Sequence, residues 1–202
     1  MEPQEKILKI TLELFYKYGI KRVTMDDIAK ELGMSKKTIY QYYKEKDDLL
    51  HQLFEIEMCK HQKKFDEIFI QAKNPIHEII LISQTMIEML QQVNPLFFID
   101  LRKFYPTAFK QFQSFKENCA YKDLLRNVKK GKEDGYYRSD IDEEFVARFR
   151  LAQIDMLMFG DYFTFEKINF TKAHELMLDM FVYSISTTKG HKLINEYKRI
   201  KE

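Results

Sequence analysis

The chain has 202 residues, 45% hydrophobic and 32% charged, with 33 basic against 31 acidic side chains and a net charge of +2. It is long enough to bury a core in one large domain or two small ones, and too evenly charged to be a polybasic or polyacidic binder as a whole. Six Gly, four Pro, no Trp and no sustained apolar–polar alternation predict an all-α fold.

The opening MEPQEK is no signal peptide, and no run reaches the roughly 18 apolar residues of a membrane span, so a cytoplasmic location is expected. Residues 4–18 read as a first helix, with Ile7, Thr11, Leu14 and Tyr18 on one stripe, Phe15 widening it and Gly19 closing it. Thr24 then suits an N-cap, and Asp27 completes a capping-box arrangement. Ile28, Ala29 and Leu32 give the second helix an apolar face, and Gly33 stands where a left-handed C-terminal cap is expected. Ser35 is a second N-cap, opening KKTIYQYY, whose Ile39 and Tyr43 point inward one turn apart. Lys36, Lys37, Thr38, Tyr40, Gln41 and Tyr42 are left outside. From Gly33 to Lys46 there are four lysines, Lys36, Lys37, Lys44 and Lys46, against one acid, Glu45. Two short helices around a tight turn, the second rich in donors, predict a helix-turn-helix whose second helix faces DNA.

The run from Gly33 to Leu50, with Ser35, Thr38, Ile39, Tyr40, Tyr43, Lys46 and Leu49, resembles the recognition segment of TetR-family transcriptional regulators. The likeness extends upstream through Thr24, Ile28, Ala29 and Leu32, and covers about the first quarter of the chain. Tyr43 stands where the family usually has Phe, and Lys37 where a small residue is common. The resemblance implies an N-terminal three-helix DNA-binding domain, here 1–46, and a larger helical ligand-binding and dimerisation domain, 47–202, in about nine helices.

A long fourth helix follows to about Ala72, with Leu49, Leu50, Leu53, Phe54, Met58, Phe65, Ile68 and Phe69 on its apolar side. Asn74-Pro75 and Asn94-Pro95 each read as a cap followed by an N1 proline. Pro106 opens another helix, with Phe109, Phe112, Phe115, Cys119, Leu124, Leu125 and Val128 following and Gly131 and Gly135 ending it. Cys59 and Cys119 lack CxxC spacing and read as buried thiols. GYYRSDID, residues 135–142, is the one extended loop expected, and resembles the loop many TetR-type bodies place before their last two helices. Asp142 caps the next helix, to about Phe159, and Thr171 the last, to about residue 188. Both are apolar nearly all round, so a two-fold four-helix interface would bury the excess, and the resemblance implies the same homodimer. Phe149 and Phe181 are candidates for that seam or for the core of the protomer.

Lys36, Lys37, Thr38 and Gln41 are the candidates for base-edge contact: Lys can donate to guanine and Gln can make a paired contact with adenine. Thr24, Tyr40, Tyr42 and Lys46 better suit phosphates, which fix register without reading sequence. The competing reading is an ordinary solvated helix. Phe65, Phe69, Met86, Phe112, Phe115, Met156 and Phe159 are most simply core, yet together would suit a mostly apolar effector cavity, as the resemblance implies. Glu57 and His61, one turn apart, are too few for a metal site, and neither a cofactor nor catalysis is expected, since no activated nucleophile, phosphate loop or carboxylate pair stands out. The expected function is a sequence-specific DNA-binding regulator on a pseudo-palindromic operator, a repressor released by a small, mostly apolar ligand. The alternatives are a regulator whose body only dimerises, and a small-molecule-binding or catalytic bundle that retains the helix-turn-helix.

Overall fold

The structure, a computed structural model, describes residues 2–160 and 169–199. Its helices are α1 (Pro3–Tyr18), α2 (Met25–Leu32), α3 (Lys36–Tyr40), α4 (Lys46–Gln71), α5 (Pro75–Gln91), α6 (Leu96–Phe104), α7 (Pro106–Phe115), α8 (Tyr121–Glu133), α9 (Glu143–Phe159), α10 (Phe170–Ile185) and α11 (Thr188–Lys198). A π-helical turn, Lys116–Ala120, carries α7 into α8. Among the described residues there is no strand, only an isolated bridge between Tyr137 and Ser186. The all-α expectation is met.

The chain divides into two compact units, Met1–His61 with Gln91–Phe115, and Gln62–Leu90 with Lys116–Glu202. The first is larger than a 46-residue head because α6 is bonded onto α1. Asn94 donates its backbone N–H to the Tyr16 carbonyl at 2.6 Å and its side-chain amide to the Lys17 carbonyl at 3.1 Å. Asp100, buried, accepts from the Lys21 backbone N–H at 2.7 Å. Gly19, at φ +84°, makes that approach possible, since a Cβ there would lie 2.9 Å from the Asp100 carboxylate. Ile7, Phe15, Ile28, Ile39, Leu49 and Leu101 are buried here, and Phe97 stacks on Phe54 and meets Tyr16 edge-on.

The second unit is built around Ile76, Ile79, Val128, Tyr137, Val146, Phe181, Val182 and Ile185. Gly131 does not end its helix as expected; it lies inside α8, where a Cβ would fall 2.1 Å from the Tyr137 ring. The glycine is a seat for the loop tyrosine, whose hydroxyl donates to Asn127 Oδ1 at 3.1 Å. Asn127 in turn donates to the Pro75 carbonyl at 2.9 Å, so the 135–142 loop, α8 and the start of α5 share one buried polar chain. α9 and α10 pack together, with Arg150 over Phe181 at one end and Leu157 against Ala173 and Met177 at the other.

Several local expectations change. Asn169, not Thr171, caps α10, its Oδ1 accepting from the Lys172 N–H at 3.0 Å. The last helical stretch breaks at Ser186, and Thr187 caps a further helix, α11. Cys59 is exposed rather than buried, and Cys119 is partly buried. Phe181 is 1% exposed and belongs to the core of the protomer, so it leaves the proposed seam. Phe69 is 49% exposed, with the Arg126 guanidinium 3.7 Å from its ring centroid.

Candidate nucleic-acid interface

The turn between α2 and α3 has the chemistry its sequence predicts. Thr24 and Asp27 close a reciprocal capping box: the Thr24 hydroxyl accepts from the Asp27 N–H at 3.2 Å, and the Asp27 carboxylate accepts from the Thr24 N–H at 2.8 Å. Those bonds to Thr24 hold the Asp27 carboxyl below the usual carboxylate range. Gly33 adopts φ 63°, ψ 28°, the left-handed C-cap, and the Met34 N–H reaches back to the Ala29 carbonyl at 3.0 Å. Ser35 caps α3, accepting from the Thr38 N–H at 3.1 Å. Met25, Ile28, Ala29 and Leu32 bury the inner side of α2, and Ile39 and Tyr43 bury that of the α3 region.

The outer side carries most of the predicted residues. Thr24, Lys36, Lys37, Tyr40, Gln41 and Tyr42 are exposed and Thr38 is partly buried. Helical assignment stops at Tyr40, but the Tyr42 and Tyr43 amides still bond the Ile39 carbonyl, at 3.0 Å each, and keep the turn wound. Lys36 pairs with Asp26 at 2.9 Å, with 46% and 68% of the two side chains exposed. Such a solvated pair contributes little, so a phosphate can replace the carboxylate at small cost. Among the described residues, the Lys37 and Gln41 side chains have no partner within the chain.

Lys46 stands apart from this surface. Its ammonium donates to the Ile20 carbonyl, lies 3.5 Å from the Lys21 carbonyl, and sits 5.5 Å from the centroids of both Phe15 and Tyr105. Burial pushes its pKa down, against the charges of Asp100, Asp47 and Asp27. It ties the start of α4 to the turn after α1. Nothing in the sequence distinguishes a lysine that turns inward to carbonyls from one that turns outward to phosphate.

The residues expected to line an effector cavity fall in both units. Phe112 and Phe115 lie on α7 in the first; Phe65, Phe69, Met86, Met156 and Phe159 lie in the second. Met156 packs beside Leu157, Ala173 and Met177, while Phe69 meets Arg126, so these two have separate surroundings. An open pocket of about 500 Å³ elsewhere in the second unit, lined by Asn74, Tyr136, Lys189, Lys192, Leu193 and Glu196 among others, contains none of the seven. Sequence reading missed two buried polar residues of the second unit, Arg150 on α9 and His174 on α10, because both were absorbed into helices judged by their apolar residues. No group of three or more His, Cys, Asp or Glu side chains with metal-binding geometry occurs among the described residues.

A capped α2–turn–α3 with a donor-rich outer face defines a helix-turn-helix protein with a helical body. Residues 7–53 match the bacterial regulatory proteins of the tetR family. Those residues form a TetR-family N-terminal domain. It is 30% identical over 129 residues to an uncharacterized HTH-type transcriptional regulator of Haemophilus influenzae, covering 62% of this chain and 60% of that one. It is also 30% identical over 91 residues to an HTH-type transcriptional regulator of Staphylococcus aureus strain USA300, covering 45% and 47%. The chain thus spans about half to three-fifths of the length of these curated relatives. Among solved structures, a transcriptional regulator from Saccharomonospora viridis in complex with choline superposes with a TM-score of 0.78 at 17% identity, covering 91% of this chain and 97% of that one. The regulator FadR from Bacillus subtilis in complex with stearoyl-CoA gives 0.71 at 18% identity, covering 90% and 98%. At such identities these neighbours establish the fold.

Proposed function

We propose that this protein is a sequence-specific DNA-binding transcriptional regulator, a homodimer that represses transcription and is released from its operator by a small ligand. The observation that carries the reading is the capped turn with Lys37 and Gln41 exposed and unengaged beside Lys36, Thr38, Tyr40 and Tyr42. Lys36, Lys37, Thr38 and Gln41 take the base edges, and Thr24, Tyr40 and Tyr42 the phosphates. Lys46, held on two carbonyls, acts as a positioning residue that sets the start of α4 rather than as a phosphate contact. Ligand control draws support from regulators of this fold whose structures hold choline and stearoyl-CoA, and repression from SmeT, a repressor of a Stenotrophomonas maltophilia multidrug efflux pump that shares the fold.

The dimer rests on a specific surface. Phe145 and Phe149 of α9 stack with centroids 6.1 Å apart and are 68% and 47% exposed, and Leu176 and Met180 of α10 are 51% and 72% exposed. Four large apolar side chains on two packed helices form a face that a second copy would cover, giving a four-helix seam. With no described helix long and apolar enough to cross a membrane, the proposed place of action is the cytoplasm, where the operator is.

The body's role in release is physical. α4 is one helix of 26 residues from Lys46 to Gln71, about 40 Å long at 1.5 Å per residue. It contributes to both units, so a ligand that prefers one setting of its second half biases the setting of its first. Selection of bound sequences from random duplex DNA, followed by a screen of metabolites for release, tests the proposal. A pseudo-palindrome is the expected outcome, and failure to enrich any sequence contradicts it.

A further inference from the structure

Arg150 lies on the inner side of α9 and is 4% exposed. Its guanidinium sits 5.4 Å from the centroid of Phe181, and among the described residues it makes one long hydrogen bond, 3.4 Å, to Gln153 Oε1. The acids of α9 and α10 are engaged elsewhere: Glu143 with Lys132, Asp155 with Lys116, Glu175 with Lys172 and Asp179 with Lys198. Glu144 is exposed. Glu78 of α5, buried in the same unit, pairs with Arg126, and among the described residues no carboxylate forms an ion pair or hydrogen bond with Arg150. Burial lowers the guanidinium pKa to about 10, still far above neutrality, so the group stays a cation with no counter-ion among the described residues.

A second polar group lies two turns along the inner face of α10. His174 is 1% exposed, and its Nε2 shares a 2.8 Å hydrogen bond with Ser83 Oγ of α5. Burial first, and the charge of Arg150 second, push the imidazole to about 4, so at neutral pH it is uncharged and supplies no competing cation. Two turns along α9 from Arg150, at the end where His174 lies, the surroundings become apolar: Leu157, Ala173 and Met177 cluster with Met156 and Phe170. A buried, unmatched cation is costly, and a fold keeps one where an anion completes it. Guanidinium matches a carboxylate through paired hydrogen bonds.

We propose that Arg150 anchors an anionic effector in the second unit, taking the carboxylate of an amphipathic acid whose apolar part runs towards Leu157, Ala173 and Met177. This rests on the reading of the protein as a ligand-released regulator and narrows a mostly apolar effector to a monocarboxylic acid. His174 and Ser83, bonded to each other two turns along α10 from Phe181, are neutral, so the site recognises charge through Arg150.

The test is calorimetric titration of the full chain with decanoate, dodecanoate and hexadecanoate, each against its primary alcohol, and repeated on Arg150→Met and Arg150→Lys. At least one acid is expected to bind wild type about tenfold or more tightly than its alcohol, the loss of a charge-assisted hydrogen bond setting that scale. Arg150→Met should abolish the preference while remaining at least as resistant to thermal unfolding without ligand, because it removes an unmatched charge; Arg150→Lys should keep a weaker preference. An acid bound no better than its alcohol across the series, or a preference that survives in Arg150→Met, overturns the anion site. The same samples titrated with a selected operator separate the two claims. Acid binding that leaves DNA affinity unchanged supports the site and overturns release, whereas operator binding without any acid preference overturns the site and leaves the DNA reading standing.

Discussion

The backbone N–H of Lys21 donates to Asp100 Oδ2 at 2.7 Å across 79 residues of sequence, at the turn where Gly19 comes within a Cβ's reach of the same carboxylate. That bond makes α6 part of the unit that carries the helix-turn-helix. Removing a buried acceptor leaves a donor unmatched, at about 1–3 kcal/mol. Asp100→Ala should therefore lower the unfolding free energy by about that amount and weaken DNA binding secondarily, as read by urea denaturation and gel shift. An unchanged denaturation midpoint would remove Asp100 from this role.

Lys46 offers a sharper distinction. If it positions α4 through the Ile20 and Lys21 carbonyls, Lys46→Ala lowers stability yet leaves the dependence of log affinity on log salt unaltered. If it neutralises a phosphate, the slope falls by about one per protomer. Titrations at several salt concentrations decide between them, and the structure predicts the unaltered slope.

The buried imidazole of His174 predicts a pH dependence of definite sign. Its folded pKa, about 4, lies below the ordinary histidine value of 6.5, so the unfolded chain binds the proton more readily. The stability it contributes is full above about 6.5 and is lost as pH falls towards about 4. Glu78, raised by burial, acts oppositely, favouring the folded state at low pH. The comparison is therefore of wild type with His174→Gln, whose melting temperature should fall less between pH 7 and pH 5. Parallel curves would show that His174 does not titrate as its burial demands.

For the seam, Phe149→Glu and Met180→Glu place charges on the proposed α9–α10 face. An unmatched buried charge costs about 3–5 kcal/mol. Sedimentation at micromolar concentration should find wild type dimeric and both variants monomeric and folded. A folded, dimeric Phe149→Glu protein would take that residue out of the interface.

Much of the site was legible because its signals are local. Thr24 with Asp27, Gly33 and Ser35 each fix a helix end within a few residues, and the structure keeps all of them. Asp142 and Asn74 likewise cap where expected, accepting from the Phe145 N–H at 2.7 Å and the His77 N–H at 2.9 Å. What escaped depends on partners distant in sequence. Asp100 reads as an ordinary helical acid until Lys21 is seen beside it, and Gly131 as a helix stop until Tyr137 occupies its open side. Phe181 and Phe149 look alike on an all-round apolar helix, yet one is core and the other 47% exposed. Arg150 was hidden for a related reason: the absence of a counter-charge among the described residues is a property of packing.

The central claim, that the outer face of the α3 region reads DNA, is tested most directly by fluorescence-anisotropy titration of a selected pseudo-palindromic duplex and of scrambled DNA across a salt series. If a dimer neutralises about eight phosphates, log affinity for the operator falls with log salt at a slope near −7. Lys37→Ala and Gln41→Ala should weaken the selected duplex while leaving scrambled binding nearly unchanged, and Tyr42→Phe should weaken both alike. Equal affinity of wild type for the selected and scrambled duplexes, or operator binding untouched by Lys37→Ala and Gln41→Ala together, would contradict the account.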